Sequence, residues 1–260
     1  MASLVSIIVL TYNSERYISN CLEAIKNQTY KSFEVLIVDA GSTDETIKIL
    51  EKYKSLIDLQ VILAPNTSMG EARNIGVRRA SGEFLAFCDS DDVFLPEKLN
   101  SQLESARNTS CDKFVVFSNH LIAKEGEFAN TRVPRDNTNF MKKKSYEVLV
   151  WQGCNLSGML VRHFKDTPIF FTSGLGGRYG EDWQYNISLY MNDYEFVHCD
   201  GIFSSVTERP DSHTTLEMQY LLVYYVLLKV FSAKDYLKKK GHSKLTCYRI
   251  LVPFIMKFYL

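Results

Sequence analysis

Four short apolar runs that alternate with helical patterns constrain the fold of this chain more than any other feature. The runs cover residues 5–10, 33–38, 59–63 and 84–88. The first is rich in β-branched residues, which is typical of a strand buried on both faces of a sheet. Alternating strands and helices form βαβ units with right-handed crossovers. We therefore predict an α/β fold with a mostly parallel central sheet flanked by helices. The 260 residues, of which 46% are hydrophobic, are enough for one such domain.

Residues that commonly cap helices stand before the predicted helices. Their side-chain oxygens can accept hydrogen bonds from N–H groups that the first helical turn leaves without partners. The predicted caps are Ser14 or Asn13 for the first helix, a capping box of Ser42 with Glu45 for the second, and one of Ser68 with Glu71 for the third. Later in the chain we expect a helix at 97–107, strands at 111–120 and 155–161, and a helix that ends at Tyr190. The polar stretch 124–144 is long enough to predict a mobile or functional loop.

Polar turns follow three of the predicted strands, at residues 11–13, 39–41 and 89–92. Ligands of open parallel sheets bind beyond the carboxyl ends of the strands, so we expect these turns to form one crevice. The last turn contains three carboxylates, which repel each other unless a cation lies between them. Hard oxygen ligands suit Mg²⁺ or Mn²⁺, and such ions commonly bridge protein carboxylates and substrate phosphates. The sequence therefore predicts a site for a metal ion and a diphosphate.

The overall charge argues against nucleic acid as a partner. Lys and Arg total 30, Asp and Glu total 30, and the formal net charge is zero, whereas broad binding to nucleic acid requires a basic surplus. None of the six cysteines forms a CxxC pair, so we predict neither disulfides nor zinc. The first apolar run is short and has no basic segment before it, which favours a cytoplasmic location over secretion.

Several segments together resemble the family 2 glycosyltransferases, which have the A-type nucleotide-sugar fold. The segments are 5–13 with Glu15, 38–44, 72–83, 89–92 and 180–182, and they follow the order and spacing of the family. The likeness implies a single transferase domain of this fold at residues 1–215. It also implies an inverting enzyme that moves a sugar from a nucleotide-diphosphate-sugar to an acceptor hydroxyl in glycan or glycolipid assembly. The Gln-x-x-Arg-Trp motif of processive synthases is not present, which favours a non-processive transferase.

The resemblance implies a role for each matched residue. The expected nucleotide-sugar-binding residues are Thr11, Tyr12, Asn13, Glu15, Asp39, Arg73, Asp89 and Ser90. The expected ligands of Mg²⁺ or Mn²⁺ are Asp91, Asp89 and His213. Asp182 matches the catalytic base of the family, with its neighbour Glu181 as the alternative. A UDP-sugar is the favoured donor, and the expected acceptor is a glycan or a lipid-linked hydroxyl.

Departures from the family pattern keep other functions open. Ala40 stands where the family often has a second acid, and residues 186–188 include no arginine where one often follows the Glu-Asp pair. Arg73, Arg178 or Arg209 would then support the diphosphate. A non-catalytic nucleotide-sugar-binding protein is therefore an alternative. A nucleotidyltransferase is a further one, although the Gly-rich basic loop expected after its first strand is missing here.

Residues 216–260 are predicted to form a helical C-terminal extension. It contains the apolar runs 221–228 and 248–258, with a basic cluster at 238–240. The first run is too short to cross a bilayer, which takes about 20 residues. Basic clusters beside apolar helices suit an anionic membrane surface, so we predict peripheral contact with the inner face of the membrane. The alternatives are packing on the core or on a second subunit of a homodimer.

Overall fold

The computed structural model describes residues 2–124, 133–135, 154–173, 180–208 and Lys239. Most of the predicted loop 124–144 and of the extension 216–260 lies outside these residues. So do three predicted site residues, His213, Arg178 and Arg209.

The elements within these ranges follow the predicted alternation. The helices are α1 (Ile18–Lys26), α2 (Thr46–Tyr53), α3 (Met69–Arg79), α4 (Lys98–Arg107) and α5 (Glu181–Met191). The strands are β1 (Val5–Thr11), β2 (Phe33–Asp39), β3 (Leu59–Leu63), β4 (Phe84–Asp89), β5 (Val93–Phe94), β6 (Phe114–Lys124), β7 (Val133–Arg135), β8 (Met159–Arg162) and β9 (Glu195–Glu208). A short 3₁₀ helix, Leu156–Gly158, precedes β8. In this part of the chain no helix is long and apolar enough to cross a bilayer.

All the strands of the described ranges belong to one mixed sheet. Its order is β3-β2-β1-β4-β8-β6-β9-β5, and β7 pairs with β6. The first four neighbours, β3 to β4, are parallel, which confirms the βαβ prediction. β8 lies antiparallel between β4 and β6, and β5 lies antiparallel to β9. The α/β class is confirmed, whereas the antiparallel pairs of the second half were not anticipated.

Helices cover both faces of this sheet. Successive side chains of a strand point to opposite faces, so β1 supplies Ile8 to one apolar cluster and Ile7 and Val9 to the other. The first cluster includes residues of α3 and α5, and the second includes residues of α1, α2 and α4. Burial on both faces explains why the strands of the first half are continuous apolar runs.

The predicted helix caps are confirmed only for α3. There Ser68 Oγ accepts a hydrogen bond from Glu71 N at 3.3 Å. The N-cap residues of α1 and α2, Tyr17 and Glu45, make no side-chain capping hydrogen bond, so those two predictions are wrong. At the start of α2, Asp44 Oδ1 instead accepts from Thr46 N at 3.0 Å. Ser42 donates instead to Asp39, at 2.5 Å between the oxygens. A local partner on the strand side of Ser42 has therefore replaced the expected one on the helix side.

Candidate active site

The carboxyl ends of β1, β2 and β4 lie side by side. Thr11 at the end of β1 is the register partner of Asp39 on β2. Leu10, one residue earlier, is the partner of Asp89 on β4. The three polar turns that the sequence predicts to share a crevice are therefore adjacent.

Asp39 is the centre of the turn after β2, and it is only 1% exposed. Its Oδ1 accepts hydrogen bonds from the backbone N of Gly41 at 2.9 Å and of Ser42 at 2.8 Å. Its Oδ2 accepts from the hydroxyls of Thr11 at 2.8 Å and Ser42 at 2.5 Å. Gly41 has a φ of +102°, which glycine adopts without strain. In this structure Asp39 and Thr11 stabilise the turn, and their contact with a nucleotide stays a prediction.

The loops after β1 and before α2 bind each other through two of the predicted donor-site residues. Asn13 Oδ1 accepts from Thr43 N at 2.9 Å, and Glu15 Oε2 accepts from Glu45 N at 3.0 Å. Glu15 thereby binds an N–H group at the start of α2 that no side chain of α2 itself caps. Tyr12, the residue before Asn13, has 63% of its surface exposed, so a flat ligand can reach its ring.

The acidic turn after β4 presents its carboxylates in two directions. The Asp89 side chain is 47% exposed and Asp91 is partly exposed, whereas Asp92 is 3% exposed. Asp92 N donates to Asp89 O at 2.9 Å and closes the turn. Ser90 Oγ lies 2.8 Å from Ser14 Oγ, which ties the turn to the loop after β1. Burial raises the pKa of Asp92 well above its ordinary value, and the charges of Asp89 and Asp91 add to this rise.

Arg73 of α3 joins the acidic turn to the start of α5. Its guanidinium is 3% exposed and donates to Asp89 Oδ1 at 2.8 Å and to Glu181 Oε1 at 2.5 Å. It also lies 5.5 Å from the ring centre of Phe171. Burial alone would lower the pKa of Arg73, but Asp89 and Glu181 raise it above its ordinary value. Arg73 is therefore a permanent cation between two predicted site motifs.

The two candidate bases at the start of α5 differ in their surroundings. Glu181 is buried against Arg73, and burial raises its pKa while the guanidinium opposes that rise. Asp182 is partly exposed, and its Oδ1 accepts from Trp183 N at 2.7 Å. Acidic groups are favoured in the first turn of a helix by the helix dipole. Because Asp182 is the more exposed of the two, it is the better candidate for a group that acts on a ligand.

Sequence reasoning missed the residues that hold these motifs in place. Ser157 and Thr207 bind the acidic turn from the 3₁₀ helix and from β9. Asn74 holds Phe171 by donating to its carbonyl at 3.0 Å and accepting from its N at 2.7 Å. Phe171 in turn stacks on Tyr185 of α5, with ring centres 3.9 Å apart. Ser157, a hydroxyl within an otherwise apolar stretch, was the one local signal for these contacts.

The acidic turn offers hard oxygen ligands but not a complete metal cage. In the described ranges no three or more His, Cys, Asp and Glu side chains are grouped so that they could hold a metal ion. Mg²⁺ and related ions usually complete their coordination with water and substrate phosphates, so two carboxylates that face a crevice fit such an ion. Asp91 is partly exposed, and Asp89 is partly exposed and also pairs with Arg73.

Sequence comparison agrees with this site. The family model for glycosyl transferase family 2 matches residues 6–166. EpsH of Bacillus subtilis is 34% identical over 143 residues, which are 53% of this chain and 42% of EpsH. TarS of Staphylococcus aureus, a poly(ribitol-phosphate) beta-N-acetylglucosaminyltransferase, is 43% identical over 98 residues, which are 36% of this chain and 17% of TarS. The chain thus spans less than half the length of these relatives.

Solved structures confirm the A-type fold. The crystal structure of S. aureus TarS 1–349 in complex with UDP has a TM-score of 0.71 at 24% identity and covers 96% of this chain and 70% of that one. The mannosyltransferase PcManGT from Pyrobaculum calidifontis, solved with GDP-Man and Mn²⁺, has a TM-score of 0.64 at 14% identity, covering 98% of this chain and 70% of that one. The family match at 6–166 ends before α5, so the case for Asp182 depends on its position beside Glu181.

Proposed function

The chain belongs to glycosyl transferase family 2, and we propose that it transfers a sugar from a nucleotide-diphosphate-sugar to an acceptor hydroxyl. The observation that carries this proposal is the double contact of Arg73. Its guanidinium binds Asp89 of the acidic turn and Glu181, the neighbour of Asp182. Arg73 thus joins the turn that is expected to bind the donor to the start of the helix that is expected to supply the base.

A UDP-sugar is the donor that we propose. TarS has been solved with UDP and with UDP-GlcNAc, which supports a uridine nucleotide for a chain of the same fold. The exposed ring of Tyr12 offers a surface on which a base can stack. The ordered loop around Asn13 and Glu15 would frame that base beside Asp39 and Thr11.

We further propose that Asp91, with Asp89, holds Mg²⁺ or Mn²⁺ together with the diphosphate. The solved complex of PcManGT with Mn²⁺ supports a divalent ion in this fold. Such an ion supplies positive charge that stabilises the diphosphate as a leaving group. Arg73 holds the Asp89 carboxylate in place by donating to its Oδ1.

Asp182 is proposed as the general base. Its carboxylate would accept the proton of the acceptor hydroxyl while that oxygen bonds to the anomeric carbon and the bond to the diphosphate breaks. One displacement of this kind inverts the anomeric configuration. A positioned base typically contributes about 10²–10⁴-fold to the rate. Glu181 is unsuited to this role because its Oε1 already accepts from Arg73 at 2.5 Å.

Replacement of the base separates catalysis from binding. In Asp182→Asn we expect sugar transfer to fall by at least about 100-fold, because the amide cannot accept the proton. Binding of UDP with Mn²⁺, measured by calorimetry, should stay within about threefold of wild type, since Asp182 is not expected to contact the nucleotide. Unchanged transfer in this variant would exclude Asp182 as the base. Nucleotide binding by the wild type without transfer to any glycan or lipid-linked acceptor would instead indicate a non-catalytic binder.

A thermal-shift series identifies the donor. UDP, GDP, CDP and ADP are compared with and without Mn²⁺, because a ligand raises the unfolding temperature according to its concentration over its Kd. We expect the largest rise for UDP with Mn²⁺ and a much smaller one for UDP alone. Equal rises in unfolding temperature with and without the metal would contradict metal dependence. Inversion is tested separately, by determining the anomeric configuration of the product by NMR.

The extension 216–260 is proposed to contact an anionic membrane surface beside the transferase domain 1–215. The support is the sequence pattern of apolar runs and basic residues at 238–240. Removal of residues 234–260 should release the protein from vesicles of anionic phospholipid in a sedimentation assay. Unchanged partitioning would contradict membrane contact, and a halved molar mass by light scattering would indicate that these residues join two subunits instead.

A further inference from the structure

We infer that Asp92, together with Ser157 and Thr207, positions the acidic turn for binding of the metal and diphosphate. This inference rests on the proposed function, because it assigns a task to residues that hold the proposed ligands Asp89 and Asp91. Asp92 itself is 3% exposed and would not contact the donor. It is a positioning residue that acts through the turn.

The Asp92 carboxylate is bound from two separate elements. Ser157 Oγ, on the 3₁₀ helix before β8, donates to Asp92 Oδ2. Thr207 N, near the end of β9, donates to Asp92 Oδ1 at 3.1 Å. These partners are 65 and 115 positions away along the chain, so the contact joins three distant segments.

The same two partners also bind the backbone of the turn. Ser157 Oγ accepts from Asp89 N at 3.4 Å, and Thr207 Oγ1 donates to Asp91 O at 2.6 Å. Asp92 N closes the turn by donating to Asp89 O at 2.9 Å. The backbone at both proposed ligands is therefore bound by the same two residues that bind the Asp92 carboxylate.

The direction of the side chains follows from this arrangement. Asp92 is bound inside the protein, whereas the other two acids of the turn, Asp89 and Asp91, are partly exposed. Loss of the inner contacts would let the turn move, and a proposed ligand that moves binds a metal more weakly. Residues that support metal ligands in this way typically change metal affinity by about 10- to 100-fold when they are replaced.

The test measures binding of Mn²⁺ with UDP by calorimetry on the full chain. In Asp92→Ala we expect the Kd to rise by at least about tenfold. Asp92→Asn keeps an acceptor for Thr207 N and can donate to Ser157 Oγ, so it should recover most of the affinity. Ser157→Ala should also raise the Kd. In the double variant Asp92→Ala with Ser157→Ala, the fold-rise in Kd should be smaller than the product of the two single fold-rises, because both changes disrupt one contact.

Ser6→Ala is the matched control. Ser6 is also fully buried, and its Oγ accepts from Gly82 N and donates to Glu34, at the other end of β1. It should lower the unfolding temperature by an amount similar to Asp92→Ala while leaving the Kd unchanged. In steady-state transfer, Asp92→Ala should raise the KM for the donor and not that for the acceptor.

The outcomes separate the two proposals. Equal affinity in wild type and a folded Asp92→Ala overturns the positioning role and leaves the proposed function intact. A Kd that rises as much in Ser6→Ala also overturns it, since the effect would then be general loss of stability. Wild type that binds no nucleotide diphosphate with any metal would refute the proposed function itself.

Discussion

Arg73 brings a fixed positive charge to two acidic residues of the candidate site, Asp89 and Glu181. Its partners Asp89 and Glu181 would repel each other without it, and Glu181 is nearly as buried as Arg73 itself. Breaking a buried ion pair from one side leaves the other charge without compensation, which costs more than the pair contributes. Replacement of a single residue in this ion-pair group should therefore change both the stability of the fold and ligand binding.

Arg73→Met should lower the free energy of unfolding by about 3–5 kcal/mol, because Glu181 is left buried without its cation. Adding Glu181→Gln should restore part of that loss, because the second change removes the uncompensated carboxylate. Urea denaturation of the single and double variants measures both effects.

Arg78→Met is the control from the same helix. Arg78 pairs with Glu71 on the exposed surface, so its loss should cost less than about 1 kcal/mol. If Arg73→Met with Glu181→Gln is as unstable as Arg73→Met alone, the buried Glu181 carboxylate is not the cause of the loss in stability.

Replacement of Asp39 should distinguish hydrogen bonding from charge. Asp39→Ala removes the acceptor of four hydrogen bonds, and we expect a loss of about 2–4 kcal/mol in the free energy of unfolding. Asp39→Asn keeps one oxygen for the backbone N–H groups, and the hydroxyls of Thr11 and Ser42 can rotate to accept from its amide, so the loss should be smaller. Equal losses in the two variants, again by urea denaturation, would mean that charge matters more than hydrogen-bond number.

Among the secondary-structure elements, α3 most directly links the core to the site. It carries Arg73 and Asn74, and Gly76 lies one turn further along. A Cβ at Gly76 would lie 2.5 Å from Ile8 Cγ2 of β1, so glycine is what permits this close approach of helix and sheet.

Gly76→Ala should therefore shift α3 away from the sheet. We expect a loss of about 1–3 kcal/mol in unfolding free energy from overpacking, and weaker binding of UDP with Mn²⁺ because Arg73 moves with the helix. Ser68→Ala is the matched change, since it removes the cap of the same helix, costs about 1 kcal/mol and crowds nothing. Unchanged nucleotide affinity in Gly76→Ala, measured by calorimetry, would contradict the link between α3 packing and the site.

The sequence predicted some elements better than others, and the reason is physical. β1 to β4 and their helices were predictable because apolar runs and turns are local signals. The insertion of β8 between β4 and β6 depends on pairing between distant segments, which leaves no local pattern. In the site, the acids of the turn were evident from the sequence. The inward position of Asp92 was not, because it depends on contacts with Ser157 and Thr207. The cap predicted at Ser42 failed for a different reason, because Asp39, three residues before it, competes for the same hydroxyl.

At the scale of the whole molecule, a buried lysine makes stability depend on pH. Lys98 of α4 is fully buried, its Nζ donates to Gln102 Oε1 at 2.7 Å, and it lies 4.8 Å from the ring centre of Phe94. Burial lowers the pKa of Lys98 from 10.5 to about 7 in the folded protein. Between these two values the unfolded chain binds more protons than the folded one, so the stability of the fold rises with pH across that range.

Lys98→Met should remove this rise while filling a similar volume. We expect the free energy of unfolding of the variant, relative to that of wild type, to be highest at pH 6. This difference should fall towards pH 9, with a slope of up to about 1.4 kcal/mol per pH unit. The comparison uses urea denaturation at pH 6, 7.5 and 9, and taking the difference between the two proteins cancels contributions from other groups. Parallel stability curves would contradict a neutral Lys98 in the folded state.

The contact between Arg73 and Glu181 spans 108 positions of the chain. On the ribosome, the strands that face the donor are complete well before α5 emerges. A nascent chain cut short in between retains those strands but has neither the partner of the guanidinium nor the proposed base beside it. Premature termination there should yield a polypeptide without the proposed transfer activity, so competence for that reaction would arrive only late in translation.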